Sequence, residues 1–235
     1  MSRLNWLFTL SSLSVVLVTV ERFSFTTKVL LQPHNFMRLH EMFQMCVIIL
    51  LTVIIPSLVL KEVTDGFKTV KSQKDWMLVL FYVVGIYFYA TGNGVHEVAS
   101  FYFNQYCDTQ KITGVLCNSL FFNDYYTGNI LYFIGGILMV LSTLLLELKR
   151  PNTMFKKKDF WILVVNAVVY GLAIFAYAAF DVVLVGIVYS TIMAIISFLL
   201  FLSIRRKYLQ YPVITYTTII YVVGTVAAVI VRFIK

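Results

Sequence analysis

Charge is scarce in this chain. Only 13% of its 235 residues are Asp, Glu, Lys or Arg, against about 25% in a soluble domain. Because 60% are hydrophobic, a water-soluble core is excluded and a membrane protein is expected. Cysteine is rare too: three residues cannot build a disulfide-rich scaffold. No Asn-x-Ser/Thr sequon marks one side by glycosylation. Histidine ends at His96, no lysine lies inside the last apolar run, and Gly-x-Ser-x-Gly does not occur. These absences remove a late histidine pair for metal, a Schiff-base lysine for a retinal-type chromophore, and a rhomboid-like serine nucleophile. The net charge of +8 would suggest a nucleic-acid partner only as one exposed patch. The basic residues instead punctuate short loops, so no nucleic-acid partner is expected.

What is present is apolar length. About 20 apolar residues cross a bilayer as a helix, and seven stretches meet that requirement: 4–20, 42–60, 76–103, 125–146, 160–180, 182–204 and 212–234. The expected fold is all-α, a polytopic helix bundle in a single domain over 1–235, with membrane lipids as its surroundings. The first stretch is short enough to be a cleaved signal peptide, which would leave six spans. Val18-Thr19-Val20 before Glu21 is a poor small-residue cleavage site, so retention is the expectation. Pro56 is expected to kink the second span, and Asp181 to cap a tight hairpin between the fifth and sixth.

Orientation follows from the basic residues. Thirteen of the 19 Lys and Arg fall on the side holding Arg3, 61–75, 147–159 and 205–207, and six on the other. The positive-inside rule then places the N-terminus in the cytoplasm and the C-terminus outside. All three histidines, together with Glu41, Glu97, Asp124 and Asp181, land on the outer side. So do Cys107 and Cys117, where an oxidising compartment favours a disulfide between them.

The unusual stretch is 89–129. Here an apolar run admits Gly92, Asn93, Gly94, His96 and Glu97, and the next opens on Asn123 and Asp124. Depth along the helices brings His40, Glu41 and Gln44 of the second span to the same level. Gly92, His96, Ser100 and Asn104 repeat at i+4 and form one stripe, with Gln44 one turn below His40. Asn129, five residues after Asp124, is about 140° round an α-helix and need not share its face.

Two chemistries fit these residue types. His40, His96 and Asp124 can supply three ligands to a zinc-like divalent metal, leaving a position for water, with Glu41, Glu97 or Asp124 transferring protons. That describes an enzyme acting on a lipid or other small amphiphile at the outer boundary, although neither His-Glu pair extends to a second histidine four residues on. Alternatively, Gly92, Asn93 and Gly94 unwind the third span and create an ion or substrate site, as in broken transporter helices. The plainer readings are close packing of the glycines against Gly128 or Gly135-Gly136, and interfacial or helix-locking roles for the acids and histidines. A structural or assembly subunit is therefore the third alternative.

Overall fold

Ser72 and Asp75 show how the longest helix begins. The Ser72 hydroxyl accepts the Asp75 amide at 3.2 Å and the Asp75 carboxylate accepts the Ser72 amide at 3.1 Å, a reciprocal cap that satisfies donors left free in a first turn. The computed structural model describes residues 2–151, 155–205 and 207–234. Arg206 and Lys235, both counted in the charge asymmetry, and 152–154 of the basic connector lie outside those residues.

Seven helices are long and apolar enough to span a bilayer. They are α1 (Arg3–Glu21), α2 (Leu39–Val63), α3 (Gln73–Tyr106), α4 (Val115–Leu148), α5 (Lys157–Phe180), α6 (Val185–Ser203) and α7 (Pro212–Ile234). The all-α bundle and the seven apolar runs agree with expectation, and α2 continues through Pro56. The fourth helix is longer than its apolar run implies. It opens at Val115, so Asp124 lies well inside it rather than at its start.

Contacts between helix termini define two ends. At the basic end, Arg3 pairs with Glu62 at 3.3 Å, Lys149 pairs with Asp75, and Asn5 donates to the Asp159 carbonyl at 3.1 Å. At the opposite end Cys107 and Cys117 form a disulfide, with Cα atoms 5.8 Å apart. There the Arg232 guanidinium donates to the carbonyls of Ala178 and Asp181 at 2.7 and 2.9 Å, closing the turn that Asp181 was expected to cap. The two ends are called the basic end and the disulfide end below.

The main core draws on α1 as well as α4 to α7. Phe8 stacks on Tyr216 with ring centroids 4.1 Å apart, and Leu4, Leu7, Leu163, Met193 and Ile214 are buried around them. Polar groups fix the register of α1 on α5. Ser12 donates to the Asn166 carbonyl at 2.8 Å, and Asn166 Nδ2 donates to Thr9 Oγ1 at 3.0 Å. Such interhelical bonds guide association where lipid gives no hydrophobic drive.

The α3–α4 pair is held differently, by glycine. A Cβ added at Gly92 would meet Tyr132 N at 2.2 Å and the Gly128 carbonyl at 2.6 Å. One added at Gly135 would meet Tyr89 N at 2.3 Å and the Gly85 carbonyl at 2.5 Å. Gly85 thus faces Gly135 and Gly92 faces Gly128, an antiparallel register with seven residues between contacts on each helix. The helix is unbroken through Gly92, Asn93 and Gly94. The unwinding expected under the transporter reading is therefore absent, because backbone contact with α4 uses Gly92 and the amide of Asn93 bonds within its own helix, to the Tyr89 carbonyl at 2.9 Å.

Candidate functional site

The polar residues at the disulfide end are assembled from α1, α2, α3 and α4. The segment after α1 makes a short 3-10 turn over Phe25–Lys28 and returns through an antiparallel bridge between Leu30 and Arg38. That return sets the start of α2 beside the end of α1. The buried Glu21 carboxylate then collects three partners: the Thr26 hydroxyl, Gln44 Nε2 at 2.9 Å, and His40 Nδ1.

Glu41, only 1% exposed, faces Arg38. It accepts the Arg38 backbone amide at 3.0 Å and Nε at 2.8 Å, with a further contact to the guanidinium terminus. The same guanidinium lies 5.4 Å above the Phe101 ring, a cation–π contact that ties α2 to α3. Glu21 is thus held by groups of the connecting segment and α2, and Glu41 by Arg38 at the end of that segment.

The third pair continues the glycine register. One turn beyond the Gly92–Gly128 contact, His96 meets Asp124. His96 Nδ1 lies 2.7 Å from Asp124 Oδ1 and 3.2 Å from the Asp124 carbonyl. The carboxylate oxygen sits beside the ring N–H rather than in line with it, and makes no aligned hydrogen bond. A Cβ on Gly128 would strike the His96 backbone and Cβ at about 2.9 Å, so glycine there is what lets the imidazole reach Asp124.

Glu97 is the exception. It is 7% exposed, and among the described residues no hydrogen bond or ion pair to its carboxyl is found. His96, Arg22, His40 and Glu41 all lie within electrostatic reach of it. A buried carboxyl is normally matched by donors; this one is surrounded by charge and bonded to none of it.

Both helices that flank α3 here carry a π-helical turn: Gln44–Ile48 in α2 and Asn123–Gly128 in α4. Such wide turns insert one extra residue and recur at functional sites. The second one spans Asp124 and ends just before Asn129. Asp124 and Asn129 are both buried, and the Asn129 side-chain amide donates to the Tyr125 carbonyl at 3.0 Å.

Other expected members do not join. His40, His96 and Asp124 do not form one ligand set. His40 is occupied with Glu21, and among the described residues no three His, Cys, Asp or Glu side chains converge as a metal ion would need. Ser100 and Asn104 also separate from the site: Asn104 is exposed and bonds back to the Ser100 carbonyl and hydroxyl at 2.8 and 3.2 Å. Asp181, at the same end but outside the helices, has its carboxyl pushed up by burial, against the lowering effect of the Val183 backbone.

No family model, curated protein or solved structure matches the chain. The site therefore stands on its geometry alone.

Three members escaped the sequence reading: Glu21, Arg22 and Arg38. Glu21 looked like the first loop residue after an apolar run. The one available signal was the pairing of that lone acid with a histidine at the start of the next run, and the intervening 18 residues hid it.

Proposed function

We propose that the protein is a multi-pass membrane enzyme with an acid–base site at the outer boundary of the bilayer, acting on the headgroup of a lipid or similar amphiphile. One observation carries this reading: Glu97, buried among charges and hydrogen-bonded to none of them, stands between two imidazole–carboxylate pairs. In this scheme Glu97 takes a proton from the attacking group. His96, oriented through Nδ1 by Asp124, delivers one to the leaving group. Glu21 with His40, and Glu41 with Arg38, supply the fixed charges that hold the pocket, and Arg22 offers a cation to an anionic headgroup.

The test uses purified protein in nanodiscs, incubated with a panel of ester, amide and phosphodiester lipids and followed by mass spectrometry. A converted lipid is expected, with turnover reduced at least 100-fold by Glu97→Gln and by His96→Asn, in the range typical of lost proton transfer. Thermal unfolding in detergent should be nearly unchanged for Glu97→Gln, which removes no bond. If Glu97→Gln converts the lipid as fast as the unaltered protein, the assignment is wrong.

A second reading has its own support. The His96–Asp124 contact lies in the same antiparallel register as the glycines, as a helix-locking device in a structural subunit would. That reading expects His96→Asn to lower the melting temperature, and no lipid in the panel to be converted.

A further inference from the structure

The far end of the molecule holds an unrelated feature. At the basic end α5, α6 and α7 leave a groove of about 370 Å³ between them, walled by Phe160, Phe198, Phe201, Tyr208, Ile219 and Val222. Two threonines also border it, but their hydroxyls are bonded inward. Thr215 donates to the carbonyls of Tyr208 and Tyr211 at 3.0 and 2.9 Å, and Thr218 to those of Ser197 and Ile214 at 3.0 and 2.8 Å. Apart from the Tyr208 hydroxyl the slot offers hydrocarbon and no spare donor, and its volume is that of a small-molecule site, about 300–1,000 Å³.

Its mouth has the opposite character. The Phe160 and Tyr208 rings approach to 5.1 Å, which brings the first turn of α5 beside the segment that follows α6. Lys157 opens α5 three residues before Phe160, on the same helical face, Lys156 caps that helix just before it, and Lys207 precedes Tyr208. All three lysines are exposed, and none has an ion-pair partner among the described residues. The apolar slot and three cations without an ion-pair partner among the described residues thus lie at the same helix-end level.

We infer that this groove is a binding site for one anionic phospholipid, with an acyl chain in the slot and the headgroup phosphate on Lys156, Lys157 and Lys207. A zwitterionic headgroup would bring its own cation to the same mouth, so the lysines select against it. Anionic lipid is enriched on the cytoplasmic face of membranes, where basic clusters recognise it. The site is independent of the acid–base reading at the disulfide end.

Nanodiscs with equal phosphatidylglycerol and phosphatidylcholine test it, by releasing the full chain into mild detergent and weighing it intact. The unaltered protein should retain one phosphatidylglycerol, preferred over phosphatidylcholine by about tenfold. Lys157→Gln combined with Lys207→Gln should bring the preference to about twofold or less while a lipid is still retained. Val222→Trp, which fills the slot, should abolish retention. Equal retention of both lipids by the unaltered protein overturns the assignment, as does an unchanged preference in the double lysine variant, whose surface positions do not threaten folding. A dimer that Val222→Trp converts to monomer would also overturn it, by making the groove a contact between chains.

Discussion

Glu147 shows how a single buried acid can be matched without a cation. Its two oxygens accept the backbone amides of Val213 and Ile214 at 2.8 and 2.7 Å, the first donors of α7 after Pro212. A helix start leaves such amides unsatisfied and carries partial positive charge, so the carboxylate finishes α7 from α4. Glu147→Ala should strand two buried donors and destabilise the protein by about 2–4 kcal/mol, at about 1–3 kcal/mol for each unpaired group. Glu147→Gln, which keeps one acceptor, should cost less. Denaturant titration in detergent measures both, and equal stability of Glu147→Ala and the unaltered protein would remove the capping role. In the sequence this residue is merely the first charge after an apolar run, like Glu21. The two resemble interfacial acids because what distinguishes them is the partner folded back onto them, 66 residues away for Glu147.

At the scale of helices, the α3–α4 pair separates two glycines that look alike in sequence. Gly92 is in backbone contact with α4, whereas a Cβ on Gly94 would meet nothing within 4 Å. Gly92→Ala should therefore push the helices apart and cost about 1–3 kcal/mol, lowering the melting temperature in detergent. Gly94→Ala should leave it unchanged or raise it, since Ala favours the helix by up to about 1 kcal/mol. The same melting temperature for both variants would contradict the packing. Close packing of the α3 glycines against Gly128 or Gly135-Gly136 was legible as the plainer reading of small residues in an apolar run, and the level of His96 from the rise of a helix. The π-helical turns were not. They carry no residue signature and arise where packing absorbs an extra residue.

For the molecule as a whole, seven apolar runs were enough to read the architecture, because lipid demands internally bonded backbone and leaves helices as the option for such runs. Beyond the α3–α4 glycines, pairing among helices was out of the sequence's reach: nothing in α1 announced that Ser12 would bond to α5 and stack Phe8 on α7. Sidedness is testable directly. With the disulfide end outside, as the basic residues and the oxidised Cys107–Cys117 pair suggest, a membrane-impermeant maleimide should label intact cells after reduction by an impermeant reductant. Cys46→Ser supplies a clean background. Labelling that needs permeabilised cells would reverse the orientation.

The antiparallel glycine register also divides the chain by its tolerance of insertions and deletions. Gly85 with Gly135, Gly92 with Gly128, and His96 with Asp124 are nested pairs around one tip. A residue gained or lost between 85 and 96, or between 124 and 135, would rotate everything beyond it by about 100° and unseat every later contact at once. The exposed turn between Cys107 and Cys117 is the tip that all three pairs enclose, and its length enters none of them. Within this hairpin, length can vary at that turn without shifting any of the three pairs, which makes it the natural place to graft an epitope or a reporter between the bridged cysteines.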